Sequence, residues 1–235
     1  LSAKGRSSEI RPEIWLTGQH QEMLAQVMDI FSLVAERNFS IMTPNQSLNQ
    51  IAARVLNCFE TAALENRPDI VVVQGDTTTT AAASLAAFYL KIPVAHVEAG
   101  LRTNNKFSPY PEEANRRITS VLADFHFAPT EQAKNNLLAE GIPPAQIWVT
   151  GNTVIDALDI VVQKVRTSRP ALSADFPLSA FECQNKVVLI TGHRRENFGS
   201  GFESLCLAIR TLAEKNPNVS FVYPVHLNPQ VREPV

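Results

Sequence analysis

The sequence predicts an α/β fold built on a parallel sheet, and three observations carry that prediction. Short apolar runs without alternation recur along the chain. The most β-branched of them, DIVVVQ at residues 69–74, reads as a strand buried on both faces. Longer segments with apolar residues at helical spacing separate the runs. Strands and helices alternating in this way imply right-handed βαβ units and a sheet covered on both faces.

Taken in order, residues 1–11 are polar and without periodicity. Residues 13–18 read as a short strand, and Gln19-His20-Gln21-Glu22 opens a helix with Met23, Val27, Ile30 and Phe31 on its apolar side. Residues 39–42 form a second short strand. Ser47 stands at the N-cap of a helix reaching Asn66, with Ile51, Val55, Phe59 and Ala62 inward and Pro68 past its end. Gly75 closes the 69–74 strand. Asp76 and four threonines follow, and then AAASLAAFYLK, a strong helix former, so Asp76 sits where a strand end meets the first amides of a helix. In a parallel sheet that edge is where ligands bind.

The strand at 93–97 repeats the arrangement and brings His96, Glu98 and Arg102 to the same edge. Residues 113–122 are helical, 125–128 a strand, Thr130 the cap of a helix ending at Gly141, 147–150 a strand, and Gly151-Asn152-Thr153 the start of a helix through Val165. The segment 168–185, holding Pro170 and Pro177, reads as a linker. Beyond it come a strand (186–191), a loop GHRRENFG, a helix (202–215) and a strand (219–225) ending at His226. The expected organisation is a first domain over 1–168, a linker over 169–185 and a short second domain over 186–235. Two strands and one helix do not enclose a core, so that second domain reads as incomplete.

Composition narrows the function. A chain of 235 residues, 45% hydrophobic and 19% charged, suits one large or two modest globular domains. Its formal charge of −2 gives no nucleic-acid footprint. Cys58, Cys183 and Cys206 are scattered, which suggests neither a disulfide frame nor a zinc site and points to a reducing compartment. With no apolar run near ~18 residues and no signal-peptide pattern, the expectation is a cytoplasmic protein without a membrane contact.

Asp76, Glu98 and the pair Glu112–Glu113 are acidic positions converging on one rim of the sheet, which points to acid–base chemistry. Each has a plainer reading. Asp76 serves equally as a helix cap, and Glu112 and Glu113 as first-turn acids that favour the helix dipole after Pro111. Glu98 follows a buried-type strand, where carboxylates are rare unless paired or functional. His193 with Arg194 and Arg195, at another strand end, would suit an anion such as a diphosphate.

Together, QGDTTTT, HVEAGLRT, PEEANRR, GNTVIDAL, TGHRREN and YPVHLNP resemble, in order and spacing, the bacterial non-hydrolysing UDP-N-acetylglucosamine 2-epimerases, from about Thr17 to Val235. The resemblance implies two Rossmann-like domains of the glycosyltransferase-B type, the second one incomplete. It also implies a homodimer and interconversion of UDP-GlcNAc and UDP-ManNAc with no cofactor and no metal. By the same resemblance Asp76, Glu98 and Glu112 match acid/base carboxylates, and His193 the histidine that meets the departing UDP phosphate. Asp76, Glu98, His193 and Arg194 are the expected substrate contacts. Gln19, Glu22, Arg54, Arg194 and His226 resemble contacts to a second, activating UDP-GlcNAc.

The implied reaction eliminates UDP together with the C2 proton and adds it back on the other face, which asks for an acid and a base with separated pKa values. Which carboxylate plays which part stays open. The family's first strand with its GTRPE-type loop, and its later Ser-Gly-Gly motif, find no counterpart in this sequence. The expectation is therefore a chain truncated at both ends and weakly active or inactive alone. Rival readings are a hydrolysing epimerase that releases free ManNAc, a glycosyltransferase of the same architecture, and an inactive nucleotide-sugar-binding protein.

Overall fold

The computed structural model describes residues 10–18, 21–43, 45–168, 186–191 and 200–225. Contacts divide the chain into two compact units, Leu1–Thr167 and Ser168–Val235. The first contains β1 (Trp15–Leu16), α1 (Gln21–Ile30), β2 (Arg37–Asn38), α2 (Leu48–Glu65), β3 (Val71–Gln74) and α3 (Thr78–Tyr89). It continues with β4 (Val94–Val97), α4 (Glu112–Leu122), β5 (Phe125–Ala128), α5 (Glu131–Ala139), β6 (Ile147–Val149) and α6 (Thr153–Thr167).

β3, β4, β5 and β6 form a four-stranded parallel sheet in chain order, and β1 pairs with β2, also in parallel, in a separate ribbon. The strand expected at 39–42 is displaced to residues 37–38, although Phe39 and Ile41 still donate their amides to Leu16 and Thr17 at 2.8 and 3.0 Å. α2 begins as its sequence predicts: the Ser47 hydroxyl accepts the Gln50 amide at 3.2 Å and the Gln50 side chain accepts the Ser47 amide at 2.9 Å, a reciprocal capping box. Ile51, Val55, Phe59 and Ala62 are buried from it.

Register places Val73, His96, His126 and Ile147 in one row across the sheet. All four are buried. Over this face α2 and α3 contribute Phe59, Ala63, Ala86 and Ala87 to a core with Val73 and Val94, while α5 contributes Ala133 and Leu137 to a second core with Ala128 and Ile147. Burying Leu137 alone contributes about 2 kcal/mol. Among the described residues the two faces are covered unequally. On the opposite face Val72 is 63% and Trp148 42% exposed. α6 buries none of its residues and leaves Val154, Ile155 and Leu158 exposed, so it does not seal that side.

In the second unit β7 (Lys186–Leu189) pairs in parallel with β8 (Val219–Val222), and α7 (Ser200–Lys215) lies between them in sequence, with Phe202 buried. The expected linker and the GHRRENFG loop lie outside the described residues. Among the described residues no helix is long and apolar enough to cross a membrane.

Candidate active site

The site grows from the carboxyl ends of β3 and β4. Gly75 leaves β3 with φ +74°, a turn that an L side chain rarely adopts, and its amide donates to the Val97 carbonyl at 3.1 Å. The next strand end does the same with an acid: Glu98 has φ +67°. A non-glycine residue held in that region costs on the order of 1–3 kcal/mol and is found where surroundings over-determine it, often at functional sites. Glu98 hangs over the neighbouring turn, since a Cβ placed on Gly75 would lie 3.7 Å from Glu98 Oε2. Its carboxylate and Asp76 thus share one rim.

Thr77, not Asp76, caps α3: its hydroxyl accepts the Thr80 amide at 3.2 Å. The cap role fails for Asp76 because its carboxylate is turned to Arg116, whose Nη2 pairs with Asp76 Oδ2. Asn115 Nδ2 donates to the Asp76 carbonyl at 2.9 Å, so α4 grips this turn at two points.

Glu112 precedes Asn115 and Arg116 by three and four residues, which puts all three on one side of α4, the side that meets Asp76. Glu112 Oε2 is buried and has no hydrogen-bond partner among the described residues. A buried oxygen without a donor is costly, and such an atom calls for an explanation; a site kept for a ligand is one. Its neighbour Glu113 is fully buried and fully engaged. It accepts the Thr103 and Asn104 amides at 3.1 and 3.2 Å, and Arg116 Nη1 and Arg117 Nε each at 3.2 Å. Burial alone would raise the Glu113 carboxyl, but these donors outweigh it and hold the group below the usual carboxylate range.

Beneath the rim, burial pulls the His96 imidazole down to about 4, so it is neutral at pH 7 and donates Nε2–H to the Gly75 carbonyl at 2.8 Å. Burial also lowers His126. Arg102, its side chain 2% exposed, grips both oxygens of Glu140 at 2.8 and 2.7 Å and so holds the Glu140 carboxyl low, while Nη2 also donates to Ser120 at 3.0 Å.

The structure therefore gathers Asp76, Glu98 and Glu112 around one sheet edge and adds Asn115, Arg116 and Glu113. Glu113 reads from the sequence with Glu112 as an acid of this rim, whereas Asn115 and Arg116 escape that reading, although Glu113 with Arg116 and Arg117 at helical i+3 and i+4 spacing is a legible ion-pair signal. Arg54 is on α2, donating Nη1 to the Ile41 carbonyl at 2.7 Å. Glu22 is placed by its backbone in α1. Gln19, His193, Arg194 and His226 lie outside the described residues. Among the described residues no cluster of His, Cys, Asp or Glu has a metal-holding arrangement.

A parallel α/β sheet whose carboxyl edge gathers acids beside an arginine defines a class of proteins working on polar ligands at strand ends. The chain matches the UDP-N-acetylglucosamine 2-epimerase family over residues 3–235, and it belongs to that family. It is 52% identical over 238 residues to the UDP-N-acetylglucosamine 2-epimerase of Salmonella typhimurium, covering 100% of this chain and 63% of the relative. It is 51% identical over 232 residues to that of Neisseria meningitidis, covering 98% of this chain and 62% of the relative. The crystal structure of the Neisseria meningitidis enzyme bound to UDP-GlcNAc superposes with a TM-score of 0.89 at 48% identity, over 99% of this chain and 62% of that one. The chain thus spans about three-fifths of the length of the relatives it matches.

Proposed function

We propose that this polypeptide supplies the acid–base side of a UDP-N-acetylglucosamine 2-epimerase that interconverts UDP-GlcNAc and UDP-ManNAc. The observation that carries the reading is the company of Asp76, Glu98 and Glu112 at one rim, with Glu112 Oε2 buried and unpaired among the described residues. A carboxylate of this group takes the proton from C2 of the sugar as the bond from C1 to the UDP oxygen breaks, leaving a C1–C2 double bond. UDP then re-adds at C1, and a carboxylic acid returns a proton to the other face of C2. One carboxylate takes the proton and another, in its acid form, returns it, so acids gathered at one rim serve the two half-steps.

His193 and Arg194 are assigned to the departing diphosphate, and Gln19, Glu22, Arg54, Arg194 and His226 to a second, activating UDP-GlcNAc. Both assignments follow the resemblance. The same reading makes the protein a cytoplasmic homodimer that supplies amino-sugar precursors for surface polysaccharides.

The test is turnover in deuterated water by the protein carrying this sequence. UDP-ManNAc with deuterium at C2 is the expected product, and Asp76→Asn or Glu98→Gln should lower its rate at least about a hundredfold. Free ManNAc with UDP would favour the hydrolysing reading, whereas UDP binding without any C2 exchange would favour a binding protein and sink the proposal.

A further inference from the structure

Glu113 has no assigned part in the chemistry, yet it joins the three segments that carry the candidate acids. Its Oε2 receives the Thr103 amide and Arg116 Nη1; its Oε1 receives the Asn104 amide and Arg117 Nε. Residues 103–104 belong to the loop that leaves β4 through Glu98. Arg116 is the residue that pairs with Asp76 at the end of β3. Glu113 itself follows Glu112 on α4. Arg117 closes the arrangement by donating Nη2 to Asn104 Oδ1 at 3.1 Å.

We propose that Glu113 is a positioning residue of this site, holding Arg116 on Asp76 and fastening the loop after Glu98 to the helix that bears Glu112. The proposal rests on the epimerase reading for its kinetic consequence only. Arg116 spans two carboxylates, and a flexible guanidinium freed from one of them has more rotamers to sample and is less often at the other. The loop amides of Thr103 and Asn104, left facing an amide in place of a carboxylate, lose charge-assisted acceptors inside a dry contact. Loss of Glu113 therefore loosens the geometry between acids without removing any of them. That should appear in kcat rather than in KM, because small displacements of proton-transfer groups cost rate more than affinity.

The experiment compares Glu113→Gln, Arg116→Lys and the double variant by hydrogen exchange over residues 101–108 and by steady-state turnover of UDP-GlcNAc. Glu113→Gln is expected to speed exchange of that loop at least about tenfold and to lower kcat at least about tenfold with KM within about threefold. Adding Arg116→Lys should cost less than its effect in the parent, since both act on one contact. Exchange unchanged within about twofold, kcat falling only with the folded fraction, or multiplicative losses in the double variant would overturn the proposal. If Glu113→Gln does not fold, Glu113→Asp, which keeps the charge on a shorter arm, is read against the same limits. Turnover is measured on a protein that carries this sequence at the full length of its relatives; its absence there counts against the epimerase reading, and the exchange measurement then decides whether Glu113 ties these segments.

Discussion

His96 donates its Nε2 proton to the Gly75 carbonyl at 2.8 Å, so a fully buried imidazole supports the turn from which Asp76 projects. The folded protein holds His96 near 4 against an ordinary value of 6.5. Below about pH 6.5 the unfolded chain takes up a proton that the folded one refuses, so stability is full above that pH and falls as pH drops towards 4. By pH 5 this amounts to about 2 kcal/mol. Urea unfolding at pH 7.5 and pH 5 should show that loss in the parent, and His96→Gln should show a correspondingly smaller difference. Equal pH dependence in both proteins would contradict the assignment.

Glu98 occupies left-handed backbone, and this reverses a familiar order of stability. In ordinary helix or strand, glycine is less stable than alanine. At position 98, Glu98→Gly should be more stable than Glu98→Ala by about 1 kcal/mol, because only glycine enters φ near +67° without cost. Both variants lose the carboxylate and should lose turnover. Thermal unfolding of the two proteins side by side measures the order.

Gly100 has no such tolerance. A Cβ there would sit 2.2 Å from the Ala133 carbonyl oxygen, a backbone atom that cannot swing aside, and φ is +86°. Gly100→Ala should destabilise the first unit by about 3 kcal/mol or more, with a marked fall in the thermal midpoint. A midpoint within a degree or two of the parent would show that α5 yields readily.

Removal of the α2 capping box is the mild counterpart. Ser47→Ala leaves the Gln50 amide without its acceptor and should cost about 1 kcal/mol in chemical denaturation.

Much of this architecture was legible because periodicity and turn chemistry agreed. The apolar faces of α2 and the Ser47 cap came directly from spacing, as did the strands of the four-stranded sheet. Where the reading failed, a competing contact decided the outcome. Asp76 looked like a cap, but Thr77 took that part because Arg116, forty residues on, claims the Asp76 carboxylate. Apolar strands suggested cover on both faces; among the described residues Ala95 is covered on the second face while Val72 and Trp148 are exposed. Glu112 and Glu113 are indistinguishable as first-turn acids. Only the fold shows that Glu113 is saturated with donors while Glu112 keeps a buried oxygen unpaired among the described residues.

Asp76, Glu98 and Glu112 all fall within the first of the two contact units, Leu1–Thr167. Their mutual geometry is settled by contacts inside that unit. Recombination that exchanged the genetic material beyond residue 167 would carry these three acids across together with the contacts of Arg116 and Asn115 to the Asp76 turn.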